Sequence, residues 1–255
     1  MKTKILSLLF GAVFTCYAGS SAMAQYFQRW FNHYSDTTSY KHEVFYDGLC
    51  TRRNYSGFDS TNYYNVGAGF ANVSTSYALG DYDELRFVRT DKSGIVLQNF
   101  GLALSDKDTT RLFNSHAHAV CEINNGSGTG GYMVVGNVTS NSNTGASVTG
   151  GSDALITRIL NDGSIPNRWR FNFAGGADEL NCVIASSFYP GSFYACGTSS
   201  YGGSSKVIVM KFNSLAKVIW AYTYHFDETE AGIFVNDCQA YGIAEDPATG
   251  NLLLV

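Results

Sequence analysis

Residues 131–173 read GYMVVGNVTSNSNTGASVTGGSDALITRILNDGSIPNRWRFNF, and the segments before and after them can be laid over this stretch as imperfect copies. Tyr132 to Val135 is a short apolar run stopped by Gly136, and Ala154 to Leu160 is a second run. Asn161-Asp162-Gly163 is a strong hairpin turn, and Trp169 to Phe173 alternates aromatic with polar residues. The pattern is strand, loop, strand, turn, strand. It specifies architecture, and nothing in it performs chemistry.

Working outward, three apolar runs end in glycine: Tyr63 to Gly67, Tyr132 to Gly136 and Phe193 to Gly197. A polar loop follows each, then a run ending in a basic residue: Glu84 to Arg89, Asp153 to Arg158, Lys206 to Lys211. Next comes a tight turn at Gly94, Gly163 or Ala216, and then an aromatic-bearing run: Ile95 to Phe100, Trp169 to Phe173, Val218 to Tyr224. A small, apolar segment carrying Ile123, Ile184 or Ile243 precedes the glycine position of the later copies. The expected unit is four antiparallel strands, A to D. In the central copy these run over 117–123, 132–136, 153–160 and 167–173. In the next they run over 180–186, 192–197, 205–213 and 218–224. The first copy has B at 62–67, C at 84–90, D at 95–100 and a less defined A around Glu43 to Cys50. Leu252 to Val255 takes the register of Tyr132 to Val135, so a glycine is expected at position 256. The units are thus 43–100, 116–173, 180–224 and an incomplete 237–255.

Four-stranded units at this period are the sequence signature of β-propeller blades. The expected fold is all-β, a propeller of four-stranded antiparallel blades with an incomplete ring of about three blades plus parts. Gln28-Arg29-Trp30-Phe31-Asn32 is similar to the D-strand segment Asn167 to Asn172, as if a lone D strand closed a last blade. Further C-terminal blades are expected, so this chain is expected to be a fragment of a longer product.

Met1 to Ala24 has the form of an export signal: Lys2 and Lys4, an apolar core from Ile5 to Phe14, then Ala22-Met23-Ala24 before Gln25. Cys16 lacks the small residue and leucine of a lipid-attachment box. Removing the leader leaves 15 basic and 21 acidic residues, a net charge of −6 that argues against nucleic acid or an anionic membrane as partner. No segment approaches the roughly 20 apolar residues of a membrane helix. Charged residues are 15% of the chain and aromatics another 15%, which with abundant Gly, Ser, Thr and Asn favours short strands over helices.

The pattern Gly-Tyr-x-Val-x-Gly, a Ser/Gly-rich loop, then Asp-x-Leu-x-x-Arg and a following Gly and Trp resembles the repeat propellers of exported Bacteroidota proteins. That resemblance covers nearly all of residues 25–255. It implies secretion or display at the outer cell surface and a C-terminal sorting domain for type IX secretion, expected in the part of the product beyond residue 255. Asp36-Thr37-Thr38, Asp59-Ser60-Thr61 and Asp108-Thr109-Thr110 are similar to the short O-glycosylation motif of that phylum.

The longest loops join B to C (Asn137 to Ser152) and D to A (Leu102 to Ser115, His225 to Asn236), which an up-and-down sheet gathers at one end. His116-Ala117-His118 near Cys121 is the one cluster of metal-ligand residue types. On a regular strand the histidines share one face, with Glu122 as the only further ligand there, while Ala117, Ala119 and Cys121 share the other; no metal site or cofactor is expected. Five cysteines follow the leader: 50, 121, 182, 196 and 238. Cys182 and Cys196 lie symmetrically about Tyr189 and form a candidate disulfide, which export would permit. Against it, Cys121 aligns with Cys182 but its partner position holds Val135, as in a small apolar core site. Asp227 to Glu230 is an acidic run without the spacing of a calcium loop. No catalytic motif is found. The function expected is a non-enzymatic binding module for a protein or glycan. The alternative is a secreted hydrolase or lyase with residues from several blades meeting at the loop-rich mouth.

Overall fold

The computed structural model describes residues 40–55, 58–71, 82–91, 95–102, 104–105, 112–123, 130–140, 145–173, 175–201, 204–224 and 237–255, all within the compact unit Thr38–Val255. The leader, the Gln28 to Asn32 segment and the acidic run at Asp227 lie outside these residues.

Every described element is a strand. β1 (Tyr40–Tyr55), β2 (Phe58–Ala71), β3 (Tyr82–Asp91) and β4 (Val96–Leu102) form a first antiparallel sheet in chain order. β5 (Leu104–Ser105), β6 (Leu112–Glu122), β7 (Tyr132–Thr139), β8 (Ser152–Ile159) and β9 (Asn167–Phe171) form a second. β10 (Ala177–Ala185), β11 (Ser192–Tyr201), β12 (Ser204–Asn213) and β13 (Val218–Tyr224) form a third, and β14 (Ile243–Glu245) pairs with β15 (Leu252–Leu254). These strands occupy the expected A-to-D positions. The short β5, paired with β6 through Leu104 and Phe113, is an addition that the repeat pattern did not announce.

The glycine that ends each B run has a specific cause. Gly67, Gly136 and Gly197 stand opposite Phe45, Ala117 and Leu180, and in each case the next residue of strand A, Tyr46, His118 or Asn181, is skipped by the pairing. Such a bulge pushes the strand A backbone toward its partner. A Cβ on Gly136 would lie 1.9 Å from the His116 carbonyl oxygen, and one on Gly197 equally close to that of Glu179. Only glycine admits that approach. The fourth unit repeats the geometry, since Tyr241 N–H and Gly242 N–H both donate to the Val255 carbonyl. Val255 therefore occupies the place of Val135 and Cys196, in the expected register.

Two sequence alignments shift once the bulges are located. Ala119 and Cys182 follow their bulges directly and face Val135 and Cys196, whereas Cys121 faces Met133. Ala119, not Cys121, is therefore the equivalent of Cys182. Ile123, Ile184 and Ile243 likewise stand at different distances past their bulges, because the turns joining A to B differ in length. The bulge also ends simple alternation. Ala117 packs toward the first sheet with Leu85 and Phe87, while Ala119 and Cys121 pack toward the third.

Both faces of the second sheet are buried. Tyr132 and Val134 join Leu85 and Phe87 on one side; Met133 and Val135 join Leu180, Phe193, Ile208 and Phe212 on the other. This is why the run at Tyr132 is continuously apolar, with each such side chain contributing about 1.5–3 kcal/mol by burial. A third cluster joins Tyr194, Cys196, Val207 and Val209 to Ala240, Ile243, Leu252 and Leu254. First strands of successive sheets touch, β1 with β6, β6 with β10 and β10 with β14, while β4, β9 and β13 make their main contacts within their own sheets. The sheets fan from the first strands outward, and the outer strands carry exposed Trp169, Ile219 and Tyr222. Among the described residues the fan does not close into a ring.

Candidate binding face

Hydrogen bonds join the C-strand and A-strand positions that flank the B-to-C and D-to-A loops across each boundary between units. At the first, Leu85 N–H donates to Ser115 Oγ over 3.0 Å. At the second, Ser152 Oγ donates to the Asp178 carbonyl over 3.0 Å. At the third, Cys238 N–H donates to the Ser205 carbonyl over 3.0 Å and Ser205 N–H to Asp237 Oδ1 over 2.9 Å. Register makes Ser152 and Ser205 equivalent, and likewise Ser115, Asp178 and Cys238.

The second boundary is the most fully built. Asn172 Nδ2 donates to the Thr149 carbonyl (3.0 Å) and to Asp153 Oδ1 (2.7 Å), and Asn172 Oδ1 accepts from Gly175 N–H (2.6 Å). Arg170 Nε lies 3.1 Å from Asp153 Oδ2, and its guanidinium stands 4.7 Å from the centre of the Phe113 ring. Gly150, at φ 83°, brings its backbone so near that a Cβ there would sit 2.0 Å from the Gly175 oxygen. Backbone meets backbone between the two loops, which requires glycine. Phe173 N–H donates to Asp178 Oδ2 over 2.6 Å. Asp178 is fully buried, and that burial, with the charge of Asp153 nearby, raises its carboxyl above the usual aspartate range. Both carboxylates thus act as acceptors that fix loops. Ser147, Thr149, Asn172, Ser200 and Tyr201 remain exposed around them, and Lys206 Nζ stacks 5.0 Å from the Tyr201 ring centre.

A second polar row runs along the first strands. The bulged His118 is hydrogen-bonded to the Asn181 side chain and the Leu180 backbone of the next sheet. The bulged Asn181 repeats the reach, donating through Nδ2 to the carbonyl of Ala240 over 3.1 Å. Leu180 and Ala240 are equivalent positions, so each bulge points its side chain at the same point of the following unit. Burial lowers the His118 pKa below its ordinary value, and the positive field of His116 adds to this, while Glu179 and the two hydrogen bonds oppose it. His118 therefore meets acid and amide groups of the third sheet. Among the described residues no group of three His, Cys, Asp or Glu side chains is arranged to hold a metal ion.

The remaining sequence candidates fall as follows. Cys182 and Cys196 are direct cross-strand partners. Asn161-Asp162-Gly163 makes the expected turn: Gly163 has φ 85°, Leu160 N–H donates to the Ser164 carbonyl, and Asp162 Oδ1 accepts from Ser164. Asp59-Ser60-Thr61 lies within β2, paired with β1. Half of Leu102 to Ser115 and all of His225 to Asn236 lie outside the described residues. Sequence reasoning did not single out Asp153, Asn172, Asp178 or Asn181 as site residues. The signal that could have found the loop tie is the matching Gly150-Gly151 and Gly175-Gly176 pairs, which mark two backbones in contact.

No protein-family model matches the chain, and a search of characterised proteins gives no match.

Proposed function

We propose that this chain is an exported, non-enzymatic module of propeller type whose loop-rich end presents a binding face to a protein or glycan. The observation that carries the reading is the cross-tied loop end. Three successive boundaries there are joined by hydrogen bonds, and the second presents Thr149, Asn172, Ser200 and Tyr201 on a fixed backbone. A preordered face loses little conformational entropy on binding. Support for the propeller comes from the contacts between successive first strands and from sheets buried on both faces. Support for export comes from the leader-like Met1 to Ala24.

The test is binding of the secreted product to immobilised glycans and surface proteins. A Thr149→Arg/Ser200→Arg double variant is expected to weaken any captured partner at least tenfold. Leu215→Arg, in the turn joining β12 to β13 at the opposite end, is expected to leave affinity unchanged. Equal loss from both variants sinks the binding-face reading; turnover of a captured glycan sinks the non-enzymatic part. Intact mass of the secreted chain is expected to begin at Gln25, and an uncleaved leader would contradict export.

A further inference from the structure

We propose that Cys182 and Cys196 are joined by a disulfide that staples β10 to β11 across the bulge of the third sheet. The two residues are direct Cα partners in the antiparallel ladder, immediately after the skipped Asn181. Directly opposed residues have Cα atoms about 4.5–5.5 Å apart, within the roughly 4.4–6.8 Å span of disulfides. Here both carry thiols, and the side chains are hydrogen-bonded to each other within one apolar cluster. Cys196 is fully buried and Cys182 half-buried. Cys121 packs in a different cluster, on the other side of the third sheet. Cys238, from the fourth unit, is the competing partner in the same cluster.

Register gives the pair its meaning. The equivalent positions of the second sheet hold Ala119 and Val135, so the bulge does not need sulfur to form. The staple is a feature added to the third sheet alone among the units whose side chains here are described. It fixes the pairing of the strands whose bulge aims Asn181 at the following unit. Formation is a thiol–disulfide exchange with a small disulfide such as glutathione disulfide. The more accessible Cys182 thiolate attacks one oxidant sulfur and releases one glutathione thiolate. Cys196, deprotonated, then attacks the Cys182 sulfur of the mixed disulfide and releases the second. Two protons leave, and the two electrons end on the two glutathione thiols.

The geometry stands without the export reading, but the presence of an oxidant in the cell rests on it. The test incubates the purified full chain in glutathione redox buffer, alkylates it under denaturing conditions and maps the peptides. The expected result is a mass lower by two hydrogens and a single Cys182–Cys196 linked peptide, retained in Cys121→Ser and Cys238→Ser. Complete alkylation of all thiols, or a link from Cys238 to either residue, overturns the proposal. A Cys182→Ala/Cys196→Val variant, which copies the second sheet, keeps the fold testable; its denaturation midpoint is expected to be insensitive to reductant, while that of the parent falls on reduction. A parent midpoint that ignores reductant also overturns the staple. A link that forms in buffer but is missing from chain recovered from the culture medium overturns the staple and leaves the export reading standing; absence of the chain from the medium sinks the export reading and leaves the linkage to be decided in buffer.

Discussion

The second and third sheets solve one backbone problem with different side chains. Each has a bulge one residue past the position that faces a B-strand glycine, and each bulge reaches to the same point of the next unit. The second sheet places a histidine there and an Ala119–Val135 pair behind it; the third places an asparagine and a Cys182–Cys196 pair. The glycine and the bulge are therefore dictated by backbone geometry, while the residue in the bulge is free to differ in charge and chemistry. That freedom allows one scaffold to carry a titratable contact at one boundary and a neutral one at the next.

The comparison breaks most readily at the glycines. Gly136→Ala and Gly197→Ala each force a Cβ onto a carbonyl oxygen and are expected to cost on the order of 4 kcal/mol, in equal measure, by chemical denaturation. A tolerated alanine in either sheet would show that its bulge is dispensable. Next in size is the loop tie, where the sheets differ: Asp153 is buried against Arg170 and Asn172, and its equivalent in the third sheet is Lys206. Asp153→Ala is expected to cost about 2 kcal/mol, since the 40% exposed Arg170 can turn to solvent. Lys206→Ala is expected to cost no more than about 0.5 kcal/mol. Equal losses would mean that the two loop ends are held alike.

A pH series sharpens the comparison at the bulge itself. His118 has a folded pKa below its ordinary 6.5, so the unfolded chain binds its proton first. Its contribution to stability is present above pH 6.5 and lost as pH falls through the lower folded value. Asp178 runs the other way. Its raised folded pKa favours the native state below the ordinary 3.8, and that contribution is lost as pH rises through the folded value. Urea midpoints of His118→Asn, which gives the second sheet the third sheet's residue, are expected to fall less than the parent's below pH 6.5. Asp178→Asn is expected to remove the opposing acid-side gain. A His118→Asn variant with the parent's slope would show that the acid-side loss does not come from His118.

The smallest effect concerns the turn joining C to D. Gly163 at φ 85° and Ala216 at φ 59° hold the same left-handed position in successive sheets. Ala216 is the only described non-glycine residue with positive φ, and its methyl is fully buried between the second and third sheets. Ala216→Gly gains about 1–2 kcal/mol of backbone relief and loses about 0.8 kcal/mol of methyl burial, so a net gain within about 1 kcal/mol is expected from thermal or urea unfolding. Gly163→Ala is expected to cost about 1 kcal/mol.

Strands and turns were legible because they are local. The apolar runs, the Asn-Asp-Gly turn and the basic residue ending strand C placed the A-to-D strands of the three large sheets in the right segments, though not the added β5, and the antiparallel order followed from short connections. The bulges were not legible. A skipped residue leaves composition unchanged, so spacing alone matches Cys121 to Cys182 and puts Ala117 on one face with Ala119. The glycine ending each B run was visible as a stop; the carbonyl that requires it was not.

By itself, then, the sequence determined the strand content, the repeat and the positions of the turns, because φ preferences and continuous apolar runs act within a few residues. Only the tertiary structure decided that Asp153 and Asp178 buttress two loops, that His118 and Asn181 are equivalent, and that a bulge stands beside the Cys182–Cys196 pair to which the spacing already pointed. Those relations depend on register across strands and between sheets. One inserted residue there redirects every side chain that follows.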